Sequence, residues 1–207
     1  MSVDGLRIAV VGGAELTRTL ATELEGLGAA TSVVGSLASP VDTGVDTPLD
    51  AVVFAPWDRR AIVGRALIDL TDEEFGQAWQ ETMDTAVSTC VEARRRFAGR
   101  AGNIVLTFPT IALVGGASHA HWAAAAEGVH ILARSVARQW GPEGITVNAL
   151  ALDPALVLAD PAAAGPVSIA TPARPGARPA GALAFLCSAA ARDLAGQTLT
   201  VDGGLWM

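Results

Sequence analysis

Two histidines, His119 and His121, occur together in the segment GASHAHW and are the side chains best suited to chemistry near neutral pH. An imidazole titrates in this range, so either histidine could serve as a general acid or base. The simpler interpretation is that they are polar residues at the start of a helix, with Ser118 as its N-cap. A metal site is not predicted, because His-x-His supplies two ligands and no Cys or carboxylate stands at a convincing spacing for a third.

A pair of glycines, Gly12 and Gly13, ends the first short apolar run of the chain. Small residues in a strand-to-helix turn let the backbone approach a phosphate held at the helix N-terminus. Here Glu15 would place a negative charge beside such a phosphate. The pair is therefore interpreted as a tight turn without a role in binding a cofactor.

The residue types that the chain lacks restrict its chemistry. It has 207 residues, no tyrosine, and fourteen basic residues that are all arginine. Hydrophobic residues make up 51% of the chain, which predicts a single globular domain over residues 1–207. The formal charge of −7 argues against nucleic acid or an anionic membrane as the main partner.

The cysteines and the apolar segments indicate a protein of the cytoplasm. Cys90 and Cys187 fall in apolar helical patterns, where a buried free thiol is expected. No apolar stretch reaches the length of a membrane span, and no signal-type apolar core stands near the N-terminus. A cytoplasmic location is therefore predicted.

Short apolar strands alternate with helices along the chain. Strands are predicted at residues 7–11, 31–34, 51–54, 104–107, 145–150 and 198–201. Helices are predicted at residues 15–27, 72–97, 119–140 and 180–190, the second opened by a Thr71–Glu74 capping box. Trp79 and Trp140 are expected to pack into the core from two of these helices. The alternation predicts an α/β fold, a Rossmann-like doubly wound parallel sheet flanked by helices.

Four segments resemble the short-chain dehydrogenase/reductase family, in particular its 3-oxoacyl reductase branch. They are DEEFGQAWQETMDTAV, AGNIVLTF, ARSVARQWGPEGITVNALA and LAFLCSAAARDLAGQTLTVDGGLWM. Their order, spacing and placement agree together over about two-thirds of the chain. The resemblance implies the predicted fold, together with a nicotinamide cofactor and a proton relay in members that keep the family motifs.

The family's cofactor features are mostly replaced in this sequence. Of the turn Thr-Gly-x-x-x-Gly-x-Gly only Gly12 remains, with Leu16 and Arg18 at the other two glycine positions. Residues 36–49 are too short for the helix and strand of the adenine side. The family's Asn-Asn-Ala-Gly segment is replaced by FAPW, in which the bulky Trp57 would fill cofactor space. The expected cofactor is therefore none, and NAD(P) binding is not predicted.

The family's proton relay is also replaced. Aligning the same segments puts Ala86 at the Asn position, Pro109 at the Ser position, Trp122 at the Tyr position and Ala126 at the Lys position. None of these side chains can transfer a proton at neutral pH. Trp57, Pro109 and Trp122 are expected to line the emptied cleft.

Two functions from different classes are favoured, and a small-molecule-binding or regulatory protein that uses the same cleft is a third alternative. The first is a non-catalytic subunit that pairs with an active family paralogue acting on a hydroxyacyl or keto substrate, or that forms a homo-oligomer. The second is a cofactor-independent dehydratase, isomerase or cyclase using His119 or His121. In that case Asp153, which stands where the family has a glycine, could orient a histidine. A conventional NAD(P)-dependent reductase is the least favoured function.

Overall fold

The computed structural model describes residues 2–37, 48–164 and 176–204. The strands of the described part are β1 (Arg7–Val11), β2 (Ala30–Val34), β3 (Ala51–Phe54), β4 (Gly102–Pro109), β5 (Ile145–Leu152) and β6 (Thr198–Val201). The helices are α1 (Glu15–Glu25), α2 (Asp72–Arg96), the short α3 (Ile111–Val114), α4 (Ala120–Trp140), the short α5 (Pro154–Val157) and α6 (Ala180–Cys187).

The six strands form one parallel sheet in the order β2-β1-β3-β4-β5-β6. α2 and α4 pack against each other, and α1 packs beside α6. Residues of β3, β4 and β5 are buried throughout, as expected for strands covered on both faces. The chain leaves β1 toward β2 and then crosses to β3 on its other side, so the strand order reverses between β1 and β3. A reversal of this kind opens a crevice at the carboxyl ends of the two strands.

The predicted fold class is confirmed, and the element boundaries differ where strand pairing decides them. β4 and β5 extend beyond the predicted residues 104–107 and 145–150, because they pair with each other along their full length from Gly102–Ile145 to Pro109–Leu152. The segment between β5 and α6, predicted to be a loop, contains α5 and a helical turn at Pro161–Ala164. Most of the segment 36–49, predicted to be too short for a helix and a strand, lies outside the described residues.

Helix α2 buries small side chains and leaves its bulky ones half-exposed. Its N-terminus has the predicted capping box, in which the Thr71 hydroxyl accepts from the Glu74 N–H and the Glu74 carboxylate accepts from the Thr71 N–H. The buried positions of α2 are Ala78, Thr82, Ala86, Thr89, Cys90 and Ala93. Trp79 is 40% exposed, so its predicted place in the core was wrong, whereas Trp140 packs partly buried against the core.

Two buried asparagines tie the sheet to the segment around α6 and β6. Asn103 accepts from the Thr146 hydroxyl at 2.7 Å and donates to the carbonyl of Cys187 at 2.7 Å. Asn148 donates to the Leu194 carbonyl and accepts from the Gln197 N–H. Both amides are therefore satisfied, which burial of such groups requires.

The turn after β1 depends on Gly12. Its φ of +145° is a conformation that side-chain-bearing residues rarely adopt. A Cβ atom there would lie 2.5 Å from the Ala55 carbonyl oxygen and 2.6 Å from the Thr17 hydroxyl. The turn therefore packs directly against the chain that leaves β3. Gly13 has no heavy atom within 4 Å of its Cβ position.

We expect Gly12→Ala to lower the free energy of unfolding by about 2–3 kcal/mol, because the methyl group meets backbone at a strained φ. Gly13→Ala is the matched control, and it should stay within about 0.5 kcal/mol of the unmodified protein. Urea unfolding followed by circular dichroism measures both. Equal stability of the two variants would contradict this account of the turn.

Candidate functional site

The carboxyl edge of the sheet is closed by Trp57, which is 2% exposed. Its indole N–H donates to the Thr107 carbonyl of β4 at 2.8 Å, and the Thr107 hydroxyl donates to the Phe54 carbonyl of β3 at 2.7 Å. The Thr17 hydroxyl of α1 donates to the Ala55 carbonyl at 2.7 Å. These bonds hold the segment after β3 in one place between α1 and β4.

Three crevices open around this closed edge. The first, of about 120 Å³, lies between the N-terminal part of α1 and the segment after β3, and its lining includes Glu15, Trp57 and Arg59. The second and third, of about 200 and 330 Å³, lie beside α2 and the start of α4. Trp57 lines the first two crevices, and Trp122 lines the second and third. The two tryptophans thus line crevices, whereas Pro109 is buried opposite Leu152 at the end of β4.

The four residues that the family resemblance predicts at the relay positions have no titratable side chain. Ala86 of α2 and Ala126 of α4 are completely buried, Pro109 closes β4, and Trp122 is half-buried in the first turn of α4. No group at these positions has a pKa that allows proton transfer near pH 7.

His119 is completely buried and makes no hydrogen bond within the described residues through either ring nitrogen. It stands at the N-cap of α4, the place predicted for Ser118, and its side chain does not cap the helix. The segment around Gly64 covers the ring, since a Cβ on Gly64 would lie 2.9 Å from the His119 Cε1 atom. The Arg65 N–H donates to the Ser118 carbonyl at 2.6 Å, which fixes the segment around Gly64 over the His119 ring. Burial lowers the pKa of His119, so its ring is neutral at pH 7.

His121 is 5% exposed and lines the third crevice, and its Nδ1 has no partner within the described residues. Burial, followed by the neighbouring His119, lowers its pKa. Asp153, expected to orient a histidine, instead accepts from the Ala155 N–H at 2.8 Å as the N-cap of α5.

The third histidine, His130, is buried like the other two, but both of its ring nitrogens have partners. It contacts the Glu127 carboxylate at 3.0 Å and the Thr198 hydroxyl at 2.9 Å, and it stacks on Phe108.

Burial raises the pKa of the Cys90 and Cys187 thiols to about 12, which makes them poor nucleophiles at neutral pH. Across residues 2–37, 48–164 and 176–204, no group of three His, Cys, Asp or Glu residues could hold a metal ion. Over the same ranges no helix is long and apolar enough to cross a membrane.

The sheet order and the reversal between β1 and β3 define a Rossmann-like, doubly wound α/β protein. The family described as enoyl-(acyl carrier protein) reductase matches residues 31–206. The chain belongs to the short-chain dehydrogenase/reductase family.

Similar proteins include several dehydrogenases and reductases. The 3-oxoacyl-[acyl-carrier-protein] reductase FabG of Salmonella typhimurium is 31% identical over 153 residues, covering 68% of this chain and 61% of FabG. The chain thus matches less than two-thirds of that reductase. The cis-4-hydroxycyclohexanecarboxylate dehydrogenase of Sinomonas cyclohexanicum is 31% identical and covers 96% of both chains. A gluconate 5-dehydrogenase from Burkholderia cenocepacia, solved with NADP and tartrate, superposes with a TM-score of 0.78 at 23% identity, covering 99% of this chain and 96% of that one.

The prediction that the cofactor is none was wrong. The finding that overturns it is the similarity to the L-rhamnose 1-dehydrogenase (NAD(P)(+)) of Azotobacter vinelandii, a protein named for a nicotinamide cofactor that is 29% identical over 91% of this chain. The prediction treated the loss of two glycines and the gain of Trp57 as the loss of the site. The backbone features that receive a phosphate persist, because α1 begins at the reversal of the strand order and no side chain caps its first N–H groups. The backbone there fits the phosphate part of such a cofactor, while Glu15 in the first turn of α1 and in the lining of the same crevice opposes a phosphate by its charge.

We expect the stability of the protein to fall as the pH drops below about 6.5, because unfolded histidine binds a proton there that folded His119 resists. A group with a lowered folded pKa stabilises the fold fully above its unfolded pKa and loses that contribution below it. The slope per histidine is at most about 1.4 kcal/mol per pH unit. His119→Leu should therefore show a shallower loss between pH 6.5 and 5.

Urea unfolding at half-unit pH steps measures the two slopes. Between pH 7.5 and 8.5 both proteins should be insensitive to this group, which provides the internal control. Identical slopes below pH 6.5 would show that His119 is not held neutral by the fold.

Proposed function

We propose that this chain is a subunit of the short-chain dehydrogenase/reductase family that does not carry out proton transfer itself and assembles with an active family paralogue. That paralogue would oxidise or reduce a hydroxyacyl or keto substrate, and the assembly would work in the cytoplasm. The observation that carries the proposal is the set of residues at the relay positions: Ala86, Pro109, Trp122 and Ala126.

The rate that acid–base groups contribute to catalysis supports this proposal. Positioned general acid–base groups contribute about 10²–10⁴ to an enzymatic rate. The chain contains no tyrosine and no lysine anywhere, so no distant Tyr–Lys pair could replace the relay. His119, one of the two candidate histidines, is enclosed beneath residues around Gly64 and is not among the residues lining the three crevices, whereas His121 lines the third.

A half-exposed apolar surface supports the assembly. Its α2 residues recur at multiples of four positions, so they form a row that winds around the helix by about 40° per step, and Ile131 of α4 is exposed as well. This surface, here called the α2 stripe, consists of Phe75, Trp79, Val87, Val91 and Ile131, which are 38–51% exposed. Trp79 and Met83 pack over Gly128, where a Cβ would lie 2.7 Å from the Met83 sulfur. α2 and α4 pack closely together, and exposed apolar side chains on such a helix pair are typical of protein–protein contacts.

The relatives' nicotinamide cofactor is carried over to this chain as part of the proposal. The backbone at Gly12 and the first N–H groups of α1 would hold its phosphates, with Arg59 in the lining of the same crevice. A bound nicotinamide supplies a hydride donor or acceptor, and in this subunit its binding would stabilise the fold.

A second candidate function is acid–base chemistry by His121, of the dehydratase, isomerase or cyclase type. The observation that favours it is the unpartnered, neutral imidazole that lines the third crevice. It differs from the subunit proposal in requiring a histidine for activity.

We expect native mass spectrometry of the chain co-expressed with candidate family paralogues to detect a stable heteromer. The dehydrogenase activity of that heteromer should survive His119→Ala and His121→Ala in this chain, because the reacting groups belong to the paralogue. Loss of activity with the heteromer intact would favour the histidine-based function. Absence of a heteromer with every paralogue tested would contradict the subunit proposal.

The α2 stripe gives a sharper test of the assembly. Val87→Glu should dissociate the heteromer, since it places a charge in a contact surface, while the isolated chain keeps its stability because Val87 is already 45% exposed. Leu27→Glu is the matched control, with 48% exposure at a site after α1. If the heteromer still formed with Val87→Glu as well as with Leu27→Glu, the α2 stripe would not be part of the interface.

Thermal shift with NADP and NAD tests the cofactor separately. Ligand at ten times its dissociation constant stabilises the folded chain by about 1.4 kcal/mol. A rise in melting temperature that Gly12→Ala diminishes would support binding at the turn after β1. No rise with either nucleotide at millimolar concentration would contradict the carry-over from the relatives.

A further inference from the structure

The second and third crevices adjoin, since both are lined by Ala61, Glu81 and Trp122. Together they form a single groove, here called the Glu81 groove, that runs between the segment after β3, α2 and the start of α4. Its parts have volumes of about 200 and 330 Å³. Pockets of a few hundred Å³ are the size that small organic ligands occupy.

The charges of the groove are paired except at its centre. Arg65 forms an ion pair with Glu74 at 3.2 Å, and Asp58 forms one with Arg60 at 3.3 Å. Glu81 forms no ion pair within the described residues and accepts only a neutral hydrogen bond, from the Gln77 amide at 3.1 Å. The groove therefore carries one carboxylate, on the solvent-exposed Glu81, that has no ion-pair partner within the described residues where its two parts meet.

His121 lines the third crevice with a buried imidazole whose enclosed Nδ1 atom lacks a partner within the described residues. Its side chain is 95% buried. A neutral imidazole has one nitrogen lone pair that can accept from a donor. A buried polar group without a partner costs about 1–3 kcal/mol, which a ligand that rearranges or hydrates this side chain could recover.

Two tryptophans complete the lining. Trp57 and Trp122 both border the part of the groove that contains Asp58 and Glu81, and no Arg or His lines that part. An indole ring attracts an organic cation through its negatively polarised face, and tryptophan does so best among the aromatic residues. Carboxylate and indole together select a positively charged ligand with an apolar body.

We propose that the Glu81 groove binds a small organic ammonium compound, with its charged nitrogen at the Glu81 carboxylate and its apolar part against Trp122. The site does not depend on the subunit function, because every residue in it belongs to this chain. It also lies on the α2 and α4 side of Trp57, whereas the crevice at α1 is the place considered for the nucleotide.

Isothermal titration calorimetry of the isolated chain tests the proposal with three probes of similar size. 2-Phenylethylammonium should bind at least about tenfold more tightly than the neutral 2-phenylethanol, and 3-phenylpropanoate should bind more weakly than either. An ammonium compound that binds no more tightly than the alcohol would overturn the proposal.

Two carboxylates of α2 provide matched variants. Glu81→Gln should abolish the preference for the ammonium probe over the alcohol. Asp84→Asn should preserve it, because Asp84 accepts from Gln80 in the same four-residue arrangement but does not line the groove. His121→Leu should weaken ammonium binding about threefold to tenfold.

Three results would count against the site. If Glu81→Gln kept the preference for the ammonium probe, the Glu81 carboxylate would not be part of the site. If Asp84→Asn lost the preference equally, the preference would come from the overall charge of α2. Unchanged binding in His121→Leu would show that the buried imidazole takes no part.

Discussion

The hydrogen bond from the Trp57 indole to the Thr107 carbonyl is the constraint on which the carboxyl edge of the sheet depends. It fixes the segment after β3 against β4, and the bond from Thr17 to Ala55 fixes the same segment against α1. Gly12 must then pass within van der Waals contact of that segment. The three crevices at this edge are shaped by this arrangement, because Trp57 or its neighbours form one wall of each.

A large aromatic residue at this place has two opposite effects. It occupies volume that the family resemblance assigns to a cofactor, and it also makes the surrounding backbone rigid. Rigid backbone around an uncapped helix N-terminus is favourable for receiving a phosphate, because little ordering remains to be done on binding. The side-chain losses in the sequence and the nucleotide binding of its relatives are therefore compatible. The relay positions differ in this respect, since proton transfer requires a particular side chain and backbone cannot provide it.

Much of the fold could be predicted from the sequence, because β1, β3 and β6 are apolar runs ended by glycine, proline or acidic residues. The full lengths of β4 and β5 could not, since pairing between them extends both strands past the apolar residues. The hydrophobic pattern also did not predict which face of α2 packs against the core. Its bulky apolar residues suggested the core face, but Ala78, Ala86 and Ala93 occupy that face because the helix lies close to the sheet and to α4. The sequence did not mark Glu81 as a groove residue, since a glutamate on a long helix ordinarily indicates a solvated surface. Trp57 and Trp122 were predicted to line a cleft because of the family resemblance.

The fixed indole of Trp57 also has an optical consequence. In a chain without tyrosine, the near-ultraviolet absorption and emission come almost entirely from tryptophan. An indole that is buried, hydrogen-bonded and held beside Phe54 in a T-shaped contact sits in a rigid, asymmetric environment. Such a chromophore has strong near-ultraviolet circular dichroism, which vanishes when tertiary packing loosens even if the helices persist. Trp57 is thus one of five tryptophans that give the protein a near-ultraviolet signal dependent on native packing.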